Sequence, residues 1–401
     1  MRRRYTIIMI LVAALVAAWL TAYWYVGADA NFLWGLIKSG FTKPTPVAVV
    51  SNLNSQSANT NTESVNTNVA QRRFTGFTQE TVVTGLTKPT RMAFEEKSQD
   101  LFVSELSGNI YRIRDDGSKQ LAASGFNQLL GISFVPITSD VIEENRPASE
   151  LEYTMLVAAR GMVSQLLRRG DGTYGEREDI VVGLPAGRHQ TDLALIGPDG
   201  KLYIATGSRS DRGETAVDPQ EAAILVADAD GKNLKVFAKG LRNPFGMTFH
   251  DGKLYVSDNG QDVPASGVPD ELNIVEQGKD YGWVGCWGVS RGPDCDGTEP
   301  PVVLLQEHSS ANGFAFYDAD QFPEAYRGNV FIALWGANSR DPDIGKKVVR
   351  IIPHDTGLWK TEDFVTGLGN PIDVKVDPRD GSLLILDFGR GEVIRVSAQY
   401  E

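Results

Sequence analysis

Apolar and polar positions alternate along most of this chain in short runs, and the runs recur in groups of three. Each group has an apolar strand ending near a turn, a second strand of the LYV type and a third of the V-I-R-I type. Six copies follow one another. They read MAF…LFVSE…NIYRIR from Met92, LLGISFVP…YTMLVAAR…VSQLLRR from Leu129, DLALIGPDG…KLYIATG…AAILVADADG from Asp192, FGMTFHDG…KLYVSDNG…ELNIVEQ from Phe245, GFAFYDAD…NVFIALWG…KVVRII from Gly313 and IDVKVDPRDG…SLLILDFG…EVIRVS from Ile372. A strand-rich repeat of roughly 40–60 residues marks a β-propeller. One copy cannot bury its own apolar face, whereas six around an axis can, and closure leaves few free strand edges. The pattern predicts an all-β fold, a six-bladed β-propeller, over residues 77–401.

Upstream the pattern changes. Arg2, Arg3 and Arg4 precede an uncharged apolar run from Tyr5 to Val26, long enough as a helix to span a bilayer. Basic residues on its N-terminal side keep that end in the cytoplasm. Residues 1–42 are therefore expected to form a cytoplasmic stub, one transmembrane signal-anchor helix and a juxtamembrane segment. Ala28-Asp29-Ala30 also has the small-x-small form of a cleavage site, so the alternative is a protein secreted after cutting near Ala30. Either way the propeller is expected outside the cytoplasm. Residues 43–76, with SNLNSQSANTNTESVNTN at their centre, are too polar to offset the entropy of ordering and read as a disordered linker.

A net charge of −12 argues against a nucleic-acid partner. Cys286 and Cys295, the two cysteines, sit in one loop, GCWGVSRGPDC. A local disulfide is the expectation for an exported protein. A metal pair would lack cysteine or histidine partners nearby.

Strand direction alternates within a blade, so residues before each first strand share one end of the propeller with residues after each second strand. Loops from all blades converge at such a mouth. Before the first strands stand Lys88, Arg91, Asn127, Gln128, Arg188, His189, Gln190, Arg242, Asn243, Ser310, Asn312 and Asn370. After the second strands stand Glu105, Arg160, Ser208, Arg209, Asp258, Asn259, Trp335, Asn338, Arg340 and Asp387. This mixture of cations, carboxylates and amides reads as a site, although polar propeller loops also serve to cap turns. His189 falls at a first-strand start within LPAGRHQ, and a neutral imidazole accepts protons near pH 7. Arg242 in Arg242-Asn243-Pro244 offers a bidentate carboxylate contact. The GLxxP frame recurs in GLTKP and GLGNP, so the arginine is the part that architecture does not explain. The loop Ser257–Glu271 is dense in oxygen donors, among them Asp258, Asp262, Asp270 and Glu271. It suits Ca²⁺ or an ordinary solvated loop equally.

GKNLKVFAKGLRNPFGMTF followed by SDNGQD…PDELNIVEQGKDYGW resembles the glucose/sorbosone dehydrogenase family, and FAFYDADQFPEAYRGNVFIALWG…KKVVRI is similar to its later blades. The resemblance runs from Thr81 to Ser397. It implies a six-bladed propeller that uses pyrroloquinoline quinone (PQQ) and Ca²⁺ to oxidise a sugar. It further implies His189 as the base, Arg242 and Asn243 as cofactor contacts, and Gly260 and Gln261 as carbonyl ligands of the cofactor's Ca²⁺. Glu271 and Tyr281 match positions tied to a second, structural Ca²⁺. The chain departs from the pattern in several places. Gln261 stands where glucose enzymes have proline. An HGSWNR-type phrase reads WGANSR, keeping Asn338 and Arg340 as further cofactor contacts but losing the histidine. The family's cofactor-contacting lysine has no clear counterpart, and the last blade begins Asn370-Pro371 instead of Arg-Pro.

The expected function is extracytoplasmic, PQQ- and Ca²⁺-dependent oxidation of a sugar or related alcohol or aldehyde, with an unidentified electron acceptor and a membrane tether. Two other classes fit the same residues. One is a metal-dependent sugar-lactone hydrolase built on Glu105, Asn243, Asp258 and Asp387. The other is a non-catalytic carbohydrate- or protein-binding propeller.

Overall fold

Among the described residues, twenty-four strands form six four-stranded antiparallel sheets. The structure, a computed structural model, describes residues 73–135, 154–210, 218–262, 267–337 and 344–401. The expected membrane helix and the linker to residue 72 lie outside the described residues, as do Asn338 and Arg340. Among the described residues no helix is long and apolar enough to cross a membrane.

Strand β1 (Phe74–Val83) opens the module, so the expected boundary at residue 77 falls inside a strand. Blade I holds β2 (Pro89–Phe94), β3 (Leu101–Glu105), β4 (Ile110–Ile113) and β5 (Lys119–Ala123). Blade II holds β6 (Gly131–Phe134), β7 (Thr154–Ala159), β8 (Met162–Arg168) and β9 (Tyr174–Val182). Blade III holds β10 (Thr191–Ile196), β11 (Leu202–Thr206), β12 (Ala223–Ala227) and β13 (Lys235–Lys239). Blade IV holds β14 (Pro244–His250), β15 (Lys253–Asp258), β16 (Pro269–Val275) and β17 (Val303–Glu307). Blade V holds β18 (Ala311–Tyr317), β19 (Asn329–Leu334), β20 (Lys347–Ile352) and β21 (Lys360–Val365). Blade VI runs β22 (Pro371–Val376), β23 (Leu383–Asp387) and β24 (Glu392–Tyr400), and takes β1 as its outer strand.

The first strands β2, β6, β10, β14, β18 and β22 touch in that order and close back on β2, so each blade has two neighbours and one opposite. Second strands such as LFVSE, LYIAT and LLILD are buried at every position. Both of their faces meet another blade, which removes the need for alternation. The apolar core accordingly lies between blades. Leu156 and Val163 of blade II pack with Ile204 and Leu225 of blade III, and Phe331 of blade V with Ile385 of blade VI. Outer strands such as KTEDFV are largely exposed, as edges facing water are.

The ring is closed by β1 pairing antiparallel to β24, with Thr78 opposite Ser397 and Glu80 opposite Arg395. Arg73 and Glu401 exchange two backbone hydrogen bonds of 3.0 Å. Phe77 seals the seam with its ring 4.6 Å from Phe322 and 5.0 Å from Phe364.

Candidate active site

Three carboxylates at second-strand ends turn back onto the loop that enters their own blade. Glu105 accepts from the Thr87 amide at 2.7 Å. Asp258 accepts from Arg242 N at 3.0 Å and Asn243 N at 2.7 Å. Asp387 accepts from Gly369 N at 2.6 Å and Asn370 N at 2.9 Å. These loops leave their amides free of sheet partners, and a buried amide needs an acceptor. The acids read from the sequence as a common metal set thus brace separate blades. Among the described residues no cluster of three or more His, Cys, Asp or Glu could hold a metal ion.

His189 and Arg242 are brought together. The His189 amide donates to Ser208 O at 3.0 Å, and the Ser208 amide donates to Arg242 O at 2.8 Å. Ser208 follows β11, so the loops entering blades III and IV are stitched to one turn. The ring of His189 is half-buried with Nε2 shielded from solvent. Asn243 faces the same place. A Cβ on Gly207 would overlap the His189 Cβ and sit 2.9 Å from Asn243 Oδ1. Glycine is required at 207 to let His189 and the Asn243 amide approach one spot from two blades. Asn243 Nδ2 donates to Asn259 Oδ1 at 3.0 Å, which fixes the amide so that Oδ1 points toward Gly207, and that oxygen is buried with no hydrogen-bond partner among the described residues. A buried acceptor of this kind calls for a donor from a ligand or water.

Arg242 is 4% exposed. Its guanidinium donates through Nη1 to Gly260 O at 2.8 Å and Asn259 O at 3.0 Å. The Gly260 carbonyl expected to hold Ca²⁺ is therefore engaged by a guanidinium in this structure. Gly260 is pinned from the other side, its amide donating to Asp270 Oδ1 at 2.8 Å, while Asp270 Oδ2 accepts from Ser309 Oγ at 2.9 Å. Beside it a small polar cavity is lined by Arg242, Asp258, Gln261, Glu271, Tyr281 and Trp283. Burial pushes the carboxyl of Asp258 up to about 7, that of Asp270 to about 6 and that of Glu271 to about 8. Asp258 adds to the effect on Glu271 as a like charge. The Tyr281 hydroxyl donates to Ile274 O at 2.7 Å and accepts from Glu276 N at 2.9 Å, which leaves only its carbonyl as a possible metal ligand.

Cys286 and Cys295 are joined, with their Cα atoms 4.9 Å apart. The bond fastens the loop whose Gly288 amide donates to Glu271 Oε1 at 2.5 Å and whose Trp287 Nε1 donates to Gly267 O at 3.1 Å. A cross-link over nine residues stabilises by about 2–3 kcal/mol. The Cys286→Ser/Cys295→Ser double variant is expected to lose that much in chemical denaturation, with unchanged stability the contrary result.

Of the residues read from the sequence, His189, Arg242 and Asn243 meet, and Gly260, Gln261, Glu271 and Tyr281 gather at the adjoining cavity. Arg91, read as a mouth residue, is instead the third residue of β2 and is 1% exposed. His250 lies at the far end, stacked on Phe316 at 3.8 Å. Gly207 was missed, since a close approach has no motif of its own, and Asp270, read from the sequence as one oxygen donor of its loop, instead braces Gly260 against Ser309.

A six-bladed propeller with a histidine and an arginine–asparagine pair side by side at one mouth defines the class of protein. The chain belongs to the Glucose / Sorbosone dehydrogenase family, whose model matches residues 86–395. It is 30% identical over 245 residues to aldose sugar dehydrogenase YliI of Escherichia coli strain K12, covering 53% of this chain and 61% of that protein. It is 24% identical over 264 residues to quinoprotein glucose dehydrogenase B of Acinetobacter calcoaceticus, covering 53% of this chain and 54% of that one. The alignments thus span less than two thirds of either relative. Among solved structures, the PQQ-bound aldose sugar dehydrogenase of Streptomyces coelicolor matches with a TM-score of 0.63 at 24% identity, over 80% of this chain and 98% of that one. The soluble aldose sugar dehydrogenase of Escherichia coli in its apo-form matches with 0.62 at 20%, over 81% and 100%. At these identities the structural likeness establishes the fold.

Proposed function

We propose that this protein is a PQQ-dependent dehydrogenase that oxidises a sugar or related alcohol or aldehyde by hydride transfer, with His189 as general base and Ca²⁺ as a second cofactor. The observation that carries the reading is the convergence of His189 and Asn243 on the notch at Gly207, with Arg242 tied to His189 through Ser208.

The residues fit the quinone on one count: Asn243 Oδ1 is a buried acceptor with no partner among the described residues, open to a ring N–H of the quinone or a substrate hydroxyl. Arg242 and Asn243 would hold it, with Asn338 and Arg340 as further contacts from the sequence. Glu271 and the Tyr281 carbonyl suit a structural cation. Asp258, Asp270 and Glu271 crowd one buried region, where positive charge offsets their desolvation. For the other ion, the Gly260 and Gln261 carbonyls would be the ligands, Gly260 O sharing or giving up its bond from Arg242 Nη1. When bound, the quinone supplies the hydride acceptor and Ca²⁺ the Lewis acid that polarises it. His189 takes the proton of the substrate hydroxyl at a ring nitrogen. Its backbone bond to Ser208 holds the root of the side chain beside Gly207, and burial of Nε2 limits exchange of that proton with bulk water.

The proposal extends to location. The apolar run Tyr5–Val26 behind three arginines supports a membrane tether with the propeller outside the cytoplasm, the alternative being secretion after cleavage near Ala30.

Calorimetric titration of PQQ into the full chain, with and without Ca²⁺, tests the reading. Ca²⁺-dependent binding with a Kd at or below about 1 μM (about −8 kcal/mol) is expected, followed by dye-linked oxidation in a sugar screen. Absence of binding in both conditions would overturn it. One observation favours a second reading, a non-catalytic binding propeller. The guanidinium of Arg242 is already committed to its own loop. Sugar binding without PQQ affinity would select that reading.

A further inference from the structure

The interior of the propeller holds a charged contact that the site does not use. Arg91 of blade I extends across the axis and donates through Nη2 to the Phe245 carbonyl at 2.8 Å. Blade IV lies opposite blade I in the ring. The Arg91 Cζ is 4.6 Å from the centre of the Phe245 ring. From blade VI, Asp373 approaches Arg91 Nη1 at 3.7 Å, accepts from the Met92 amide at 2.8 Å and from Lys375 Nζ at 3.2 Å. Asp192 of blade III is 1% exposed and interacts electrostatically with Arg91. A single side chain of blade I thus gathers groups from three other blades.

The neighbouring blades make room for it. Arg91, Gly246, Gly313 and Asp373 hold the same place, each just before the residue paired to the middle of its second strand (Met92 with Val103, Met247 with Val256, Phe314 with Ile332, Val374 with Ile385). Two of these four are glycines. A Cβ on Gly246 would lie 2.5 Å from Asn312 O, and one on Gly313 would overlap the Asp373 carboxylate. Blades IV and V therefore approach the axis as bare backbone, and blade I alone of the four sends a long side chain over it. The far end of that side chain grips Phe245, two residues beyond Asn243 and three beyond Arg242.

We propose that Arg91 is a positioning residue. Clamped to the Phe245 carbonyl from the opposite blade, it fixes the Arg242–Phe245 segment on which the arginine and asparagine of the site are mounted. The role in cofactor binding rests on the functional reading above, whereas the clamp itself does not. Deleting the guanidinium would leave the Phe245 carbonyl and the Asp373 carboxylate short of a buried partner, and the segment would relax where it enters β14.

Amide hydrogen exchange by mass spectrometry on the full chain, free of metal and cofactor, tests the clamp in Arg91→Met and Arg91→Lys. In Arg91→Met, peptides covering residues 241–247 should exchange at least tenfold faster, while those covering β8 and β20 keep their rates. Arg91→Lys retains charge near Asp373 but loses the two-pronged grip, and should accelerate the same peptides about threefold. Unchanged protection at 241–247, or equal acceleration in every blade, would overturn the proposal. If Arg91→Met does not fold, the lysine variant decides alone by the same criterion. Titration with PQQ gives the second readout, with Kd raised at least tenfold in Arg91→Met and partly restored in Arg91→Lys. A parent chain that binds no PQQ would defeat the functional reading and leave the exchange result to judge the clamp.

Discussion

Replacing His189 by alanine is expected to lower turnover by at least about 10³-fold, within the range general-base removal produces, while Kd for PQQ changes less than tenfold. The asymmetry follows from the way the residue is held. Its main-chain amide, not its ring, makes the bond to Ser208 O, so truncation leaves the stitch between blades III and IV in place. Arg242 O still accepts from Ser208 N, and Asn243 keeps its bonds to Asp258 and Asn259. What disappears is the ring nitrogen proposed to accept the hydroxyl proton. His189→Gln sharpens the test, because it supplies a polar group of similar reach without basicity near pH 7. Both variants should be folded, should bind the quinone and should fail to turn over. Turnover within tenfold of the parent in either would remove His189 from the mechanism and send the search to His308, which lies three residues before β18.

Gly207→Ala is expected to have nearly as large an effect from a single methyl group. The added Cβ would overlap the His189 Cβ, which belongs to the root of a side chain and cannot swing away, and would crowd Asn243 Oδ1 at 2.9 Å. One of the two loops must then move by a good fraction of an ångström. Displacements of about 1 Å at reacting groups cost about 10²-fold in rate, so kcat/KM should fall by about that factor. Overpacking of this kind destabilises by about 1–3 kcal/mol, and the variant should therefore remain folded at room temperature. The combination to look for is modest loss in denaturation with a large loss in kcat/KM and in quinone affinity. Parent-like kinetics in the alanine variant would show that the notch at Gly207 is not part of the site.

The six-fold architecture was legible because second strands such as LFVSE, LYIAT and LLILD are buried on both faces and so repeat as unbroken apolar runs. The fourth strand of each blade was not. Strands such as KVFAK and KTEDFV face water at the rim and carry no apolar stripe, and β1 lies far in sequence from the blade it completes. That His189 and Arg242 lie near each other at one end of the ring was legible from their place relative to the strands, since strand direction dictates which end they reach. The carboxylates were misread because the sequence reports their type and not their partner. Asp258, Glu105 and Asp387 look like ligands until each is seen to accept amides from its own blade's entering loop. Arg91 shows the same limit in reverse. Its number places it beside the mouth, but its length carries it across the axis, and no periodicity encodes a contact made with the far side of a ring.

The pairing of Arg73 with Glu401 has a topological consequence. The chain's first described residue and its last are already neighbours, so the order in which the blades are strung is one choice among several for the same ring. A permuted gene that joins Glu401 to Arg73 through a short turn and opens between Val365 and Pro371 would build every blade from consecutive strands. In that chain β24 and β1 would form an ordinary hairpin, and the ring would close on side-chain packing between blades V and VI alone. The native order instead closes the ring with the β1–β24 ladder inside blade VI, and it does so by making the earliest described strand wait for the latest.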